Sequence, residues 1–398
     1  MICRPVRGAL IAAALACAAL AVSTQSASAM PIFAKAYGVP CSTCHTVVPA
    51  LNAYGRYVQR TGYASLNRDV LKTVNPIWIG EQVNGDSAGG VSNNSPTYTN
   101  SIGNLAIHAA GYMAPDWTYH VQQWLLQSDQ TGGTLDTAWI TYNNLFHRDG
   151  HLFLGKIEAP GPSPFSQWFD ISSFAAPEIT VGEHAWQLDA NRWGAKLGYT
   201  HKAISAEAGW LLGSNGLPTA SDFSTIAGTD KTFQWKLADA RPDEPLEFGL
   251  YGSSGSYIVS TGATDRYGSV AGYLQRDPQA HAVPGVLAIY QVGNDSNPGL
   301  DLNGNQLPAA RSHAFSAEIY EPVFKGNAVI GLRDEITNDG LGNALHYGNV
   351  DFAFNVPGYQ YLHGYVEAAL GAHSASPNGG PDWRWTLWWT TPIGNCCS

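Results

Sequence analysis

Between Asp116 and Leu125 the chain alternates strictly enough to fix its local geometry. Trp117, Tyr119 and Val121 fall on one side, and Thr118, His120 and Gln122 on the other. A period of two is the mark of a half-buried strand, and the pattern blurs only after Gln123. The same alternation recurs in 192–200, with Trp193, Ala195, Leu197 and Tyr199 facing outward, and in 204–210, 231–237 and 383–391. Turn clusters separate such runs: Gly132-Gly133, Asp149-Gly150, Gly213 to Gly216, Asn338-Asp339-Gly340 and Asn378 to Gly380. Roughly 14 to 16 strands fit into the chain on this spacing, and sixteen would close evenly as eight hairpins. No internal repeat is visible, which speaks against a propeller.

Composition decides what such strands can build. Charged residues make up 13% of the 398, about half the ~25% usual in soluble domains. Gly (43), Tyr (19) and Trp (13) are plentiful. After the first residues, no apolar run reaches the ~18 residues of a membrane helix. Low charge, many aromatics and strands that offer lipid every second side chain together predict an all-β, outer-membrane antiparallel β-barrel, preceded by a short helical segment. The competing folds are a soluble β-sandwich or propeller. Long polar stretches at 85–99 and 293–310 read as extracellular loops, and the aromatic strand 383–389 as the closing one.

The N-terminus reads as a secretory signal over residues 1–29. Arg4 and Arg7 form a basic start, Gly8 to Val22 an apolar run, and Ala27-Ser28-Ala29 a small-residue cleavage site. Removing Arg4 and Arg7 leaves 19 basic against 31 acidic residues, a net charge of −12. That balance disfavours nucleic acid and suits cationic partners or metal ions. Cys3 and Cys17 leave with the signal, so no disulfide framework is implied. The pair Cys396-Cys397 reads as part of a frayed tail.

Residues 30–63 form a segment of a different kind, with the barrel assigned to 64–398. Its centre is Cys41-Ser42-Thr43-Cys44-His45. Two thiols two residues apart, followed at once by an imidazole, have the spacing of covalent c-type haem attachment. Cys41 and Cys44 would carry thioethers, and His45 the proximal iron bond. A thioredoxin-like redox pair would want a βαβ context, and a zinc site two further ligands. After the motif Val47, Val48, Leu51, Tyr54 and Val58 recur at helical spacing, with Gly62 as the stop. A segment of some 35 residues is too short to enclose a haem alone, so the barrel lumen is expected to complete the pocket, with the segment folded in as a plug. For the distal position Met30 is the first expectation, through its thioether or the new α-amine; His108 and His120 in early strands are the others.

The residues Pro31-Ile32-Phe33-Ala34-Lys35-Ala36-Tyr37-Gly38, the motif itself, then Pro49-Ala50-Leu51-Asn52-Ala53-Tyr54-Gly55-Arg56 and Gly62-Tyr63 resemble the fused monohaem cytochrome–porins of the bacterial outer membrane. Lys35 stands where Arg is usual there and Tyr54 where Phe is usual; Val39-Pro40 stands where a Met often precedes the first Cys. The resemblance implies one covalent haem c in the outer membrane, with the haem segment at the periplasmic side or in the lumen. It also implies electron transfer from an extracellular donor such as Fe(II) to a periplasmic cytochrome or other carrier, an iron:cytochrome c oxidoreductase activity. The alternatives are a haem-containing porin for small solutes and a soluble periplasmic haem enzyme with an all-β domain. Inward carboxylates such as Glu207 and Glu367 are candidates to line an acidic path, with most of them expected to be ordinary polar lumen residues. The run 294–305 is rich in oxygen ligands but lacks the spacing of a calcium loop, and is expected to be a polar turn.

Overall fold

The computed structural model describes residues 30–88, 97–127, 135–161, 171–212, 231–279, 283–356, 359, 361–370 and 383–393. The signal segment 1–29, the Gly132-Gly133, Gly213–Gly216 and Asn378–Gly380 turns, and Cys396-Cys397 lie outside the described residues. Sixteen strands form one closed antiparallel barrel. It opens with Ile77–Ala88 and closes where that strand pairs with the last, Trp383–Pro392, through partners such as Trp388 with Gln82. Closure satisfies every strand edge, which an open sheet in lipid could not do.

The alternation turns the barrel inside out relative to a soluble protein. Leu197, Trp210, Leu237, Phe248, Leu250, Val270, Ile319 and Leu332 are exposed on the outside. Thr118, Ser205, Glu247, Gln275, Gln291, Arg333, Glu335 and Glu367 are buried and face the lumen. This apolar exterior excludes the sandwich and propeller folds. The loss of register after Gln123 has a physical cause: the pairing of Trp117–Gln127 with Leu135–Leu145 carries an irregularity between Gln122 and Gln123.

One rim of the barrel is made of short turns, such as the three-residue helical turns Phe146–Arg148 and Phe324–Gly326. The other rim carries the long connections. Helix α1 (Pro31–Tyr37) starts with proline at its first position and ends at Gly38, whose φ of 61° permits the left-handed exit. Helix α2 spans Ala53–Arg60, and α3 spans Arg68–Leu71. The helical layer therefore continues beyond Tyr63, and the first barrel strand begins only at Ile77. The helical spacing read over 47–58 is half right. His45–Val47 and Ala50–Leu51 pair as a small hairpin instead, because Pro49 offers no backbone N–H and two β-branched valines precede it.

The core lies inside the lumen. α1 and the end of the helical segment place Ile32, Phe33, Val58, Tyr63 and Leu71 against Trp78, Trp139, Phe153 and Ile157 of the wall. A second filler comes from the long connection between Gly150–Ile157 and Arg192–His201. It folds inward and carries helix α4 (Ala175–Glu178). Its Phe174, Ile179, Val181, Trp186 and Leu188 share one apolar cluster with Val47 and Ala50 of the hairpin. The two inserts thus meet within the barrel.

Candidate functional site

Asn52 organises the Cys41–His45 turn. Its side-chain oxygen accepts from Gly55 N at 3.0 Å and caps α2. Its side-chain nitrogen donates to the Ser42 and Thr43 carbonyls at 3.1 and 3.3 Å. Its backbone N donates to the Cys44 carbonyl at 3.0 Å. Gly55 lets α2 approach closely, since a Cβ there would overlap that same carbonyl oxygen.

Cys41 is fully buried and Cys44 partly so, and both are free thiols. Burial pushes both thiols up, Cys44 to about 11, so they stay protonated at neutral pH. His45 Nδ1 lies 2.8 Å from the Pro49 carbonyl oxygen. A carbonyl can only accept, so Nδ1 carries the proton and Nε2 keeps its lone pair. Burial pushes His45 down to about 4, against a smaller upward pull from Pro49 and Ala50, which keeps the ring neutral. The sulfurs and imidazole do not gather within the 4.8 Å that would hold a shared metal ion. Among the described residues, neither a zinc cluster nor a parallel βαβ setting surrounds them.

The motif faces the wall near the short-turn rim. Cys41 and Val48 pack with Cys44 and Trp388. Tyr365 Oη donates to the Val48 carbonyl at 2.8 Å. His363, at the start of the strand Leu362–Ala369, stands 6.5 Å ring to ring from Trp388 and within electrostatic reach of His45. His363 Nδ1 lies 2.9 Å from Asn355 Oδ1, so its Nε2 is left as the lone-pair nitrogen, as in His45. An equal pair at His151 and Asn143 marks the contact itself as a hairpin feature; its electrostatic coupling to His45 sets His363 apart.

Of the three distal residues named from the sequence, Met30 and His120 lie in the neighbouring aromatic cluster and His108 between that cluster and Trp388. Met30 caps α1 and packs on the Trp78–Trp139 cluster rather than on the motif. His120 is enclosed by Tyr63, Trp78 and Trp139, with ring centroids 5.7 to 6.3 Å away. Neither of its ring nitrogens has a hydrogen-bond partner. His108 stacks on Trp78 at 4.8 Å. Its Nε2 and Trp388 Nε1 converge above Gly80, each 3.2 Å from where a Cβ would sit. His108 therefore borders the wall that covers the motif, two strands round from Trp388, with the strand Ile77–Ala88 between them. No motif in the sequence marks His363, which lies 318 positions from His45 and couples to it only in the folded chain.

Buried ion pairs hold the segment in place. Arg56 reaches Asp277 at 2.7 Å and Glu247 at 3.1 Å, and Arg60 reaches Glu247 at 3.3 Å. Ala53 N donates to Asp277 at 2.6 Å. The inward carboxylates are not an open acidic lining. Glu207 meets Lys196 at 2.9 Å and Lys236 at 3.9 Å. Glu367 accepts from Ile171 N, Ser172 N and Ser172 Oγ, with Arg333 and Arg384 each 3.5 Å away. Asp301 closes its own turn by accepting from Asn303 N and Asn305 N at 2.8 Å, as expected of a polar loop.

No protein-family model and no curated protein matches the sequence. Solved structures do match in fold. The anion-selective porin from Comamonas acidovorans aligns at a TM-score of 0.54 and 11% identity, covering 79% of this chain and 97% of that one. Salmonella typhi OmpF, in complex with daunomycin, aligns at 0.50 and 12% identity, covering 79% and 96%. The chain has the sixteen-strand fold of outer-membrane porins, and its apolar outer face suits the bacterial outer membrane.

Proposed function

We propose that this chain is an outer-membrane cytochrome–porin that carries electrons from an extracellular donor, Fe(II) among the candidates, to a periplasmic carrier through one covalent haem c. The observation that carries the proposal is the state of the motif. Two unpaired neutral thiols stand beside an imidazole whose Nδ1–H is committed to the Pro49 carbonyl, which fixes the ring and leaves Nε2 with the lone pair a metal ligand requires.

The donor set fits the group. Cys41 and Cys44 would hold it by adding S–H across its two vinyl groups, and His45 Nε2 would be the proximal ligand. Bound haem supplies a one-electron Fe(III)/Fe(II) couple. His363, which couples electrostatically with His45 and keeps Nε2 as its lone-pair nitrogen, would be a second imidazole able to hold the iron; Met30 and His120 belong to the neighbouring aromatic cluster. Trp388 and Tyr365 would exclude water, which raises the weight of every fixed charge near the iron. Outer-membrane barrels keep short turns on the periplasmic side, and the motif lies near the short-turn rim, where a soluble carrier would dock.

The fold likeness favours a second function, a channel for small solutes. Sixteen-strand porins leave an aqueous channel, whereas here two inserts share an apolar cluster across the lumen. Two measurements separate the functions. Protein purified from a host able to mature c-type cytochromes should give a haemochrome spectrum that vanishes in Cys41→Ser/Cys44→Ser, and Fe(II) should reduce it at the growth pH. A wild-type protein without covalent haem, yet conducting in planar bilayers, would sink the cytochrome proposal.

A further inference from the structure

Far from the Cys41–His45 motif, at the long-loop rim, three buried ligand groups converge. His184 belongs to the infolded connection, in the two-residue strand His184–Ala185. Asp265 is the second residue of the wall strand Thr264–Arg276, and Asp295 the last of its neighbour Gly285–Asp295. All three side chains are essentially inaccessible. His184 Nδ1 lies 2.6 Å from Asp295 Oδ1 and 4.0 Å from Asp265 Oδ2. Among the described residues this is the one trio whose ligand atoms all fall within 4.8 Å of one another.

The second observation is electrostatic. Asp265 Oδ1 is fixed by Ser296 Oγ at 3.1 Å and Asn297 N at 2.7 Å. Among the described residues, its Oδ2 and the Oδ2 of Asp295 are buried with no hydrogen-bond partner within bonding geometry. Two adjacent carboxylates out of water are costly unless something positive compensates both. A single imidazolium would answer one of them. Arg192 donates to the Trp186 and Gln187 carbonyls and to Thr232 Oγ1. The ring of Tyr267, bonded to that same Thr232, packs on His184 at 4.3 Å.

We propose that His184, Asp265 and Asp295 form a site for a divalent first-row transition cation, which fastens the infolded connection to the barrel wall. One imidazole with two carboxylates is a hard-to-borderline donor set, suited to Zn(II), Mn(II) or Fe(II) rather than to thiophilic ions. Ligand bonds near 2.0–2.2 Å set neighbouring donors about 3.4 Å apart in a tetrahedral shell. The 2.6 Å contact would open toward that value and the 4.0 Å contact would close. The remaining coordination position would take water. The site stands independently of the haem proposal, because none of its residues touches the motif.

Zinc is the probe, since haem iron does not interfere with its detection. The full chain in detergent is stripped with EDTA, titrated with Zn(II), gel-filtered and analysed by elemental mass spectrometry. One zinc per chain is expected, with affinity at least about tenfold weaker in Asp265→Asn and Asp295→Asn. Heat-modifiable migration on gels checks that each variant still forms the barrel. In wild type, zinc should also slow proteolysis within 171–190 relative to EDTA, a readout that needs no variant. Wild-type protein that retains no zinc, variants that retain it as well as wild type, or proteolysis indifferent to zinc would each overturn the proposal.

Discussion

Arg56→Met tests whether buried charge holds the helical segment in the lumen. The substitution keeps most of the stem and deletes the guanidinium. Lost with it are two bonds to Asp277 at 2.7 and 3.3 Å, one to Glu247 at 3.1 Å and one to the Leu51 carbonyl at 2.8 Å. Glu247 keeps Lys236 at 3.1 Å, Arg60 at 3.3 Å and the Tyr273 hydroxyl at 2.8 Å. Asp277 keeps the Ala53 N–H at 2.6 Å in place of a guanidinium, so the damage concentrates there. Breaking one side of a buried pair costs about 3–5 kcal/mol, and the surviving donors place this case near 3. At about 1.4 kcal/mol per decade, the undocked population rises on the order of a hundredfold. Limited trypsinolysis reads that population when opening is fast relative to cleavage. Arg60 is buried and Lys72 exposed, so cleavage at Lys72 serves as the internal reference. Cleavage after Arg60 should rise about a hundredfold in Arg56→Met. Arg56→Met/Asp277→Leu should recover much of the protection, since an apolar pair strands no charge. If Arg56→Met is cut at the wild-type rate, docking by ion pairs is wrong and apolar packing alone holds the segment.

Gly55→Ala should push α2 off the Cys44 carbonyl and lower the haem-to-protein ratio severalfold, measured by haemochrome against total protein, with barrel migration on gels unchanged. Asn52→Ala removes a helix cap worth about 1 kcal/mol and releases the Ser42 and Thr43 carbonyls; a lowered melting temperature of the segment, by hydrogen exchange over 41–60, is the expected outcome. His363→Met should leave haem content intact but change the low-temperature EPR and near-infrared MCD signature from bis-imidazole to His/Met ligation, and raise the potential. His108→Gln and His120→Gln should leave that signature alone, and a spectrum that follows either of them instead of His363 would reassign the distal ligand.

Strand existence was legible in the sequence because lipid and lumen impose opposite chemistries on alternate residues. Leu197 had to face out and Lys196 in, whatever the loops did. The turn at Asn338-Asp339-Gly340 was legible for a local reason: Asn338 and Asp339 side chains accept from nearby backbone N–H groups. The hairpin at His45–Leu51 was misread because Val47, Leu51 and Val58 happen to fit a helical period, while Pro49 and the packing of Val47 on Phe174 and Ile179 decide otherwise. The infolded connection had no signal of its own. Phe174, Ile179, Val181, Trp186 and Leu188 follow no single period, since they fill a cavity instead of lining one face. His363, and the trio His184, Asp265 and Asp295, are joined across distant parts of the chain by barrel closure and infolding, which spacing cannot encode.

A barrel of sixteen strands encloses more cross-section than its own side chains can fill, and something else must occupy the remainder. Water is the occupant in a solute channel, with charges left solvated. Here the described lumen contains fully buried Arg333 beside Glu335 and Glu367, and Arg56 between Glu247 and Asp277. Desolvating such pairs gains little stability over an apolar filling, whereas it fixes register strongly, because each charge is intolerable anywhere but beside its partner. The N-terminal insert is tied by such pairs through Arg56 and Arg60, and the infolded one by hydrogen bonds to buried charges, from Arg333 to the Ser172 carbonyl and from the Ala175 N–H to Glu335. A solute channel gains nothing from inserts held so firmly that they exclude water. Electron transfer does, because a dry and rigid setting lowers the reorganisation that each change of iron charge demands. Loosening either insert should therefore raise bilayer conductance and slow haem reduction together. A variant that conducted freely while its haem was reduced at the wild-type rate would separate the two and refute the link.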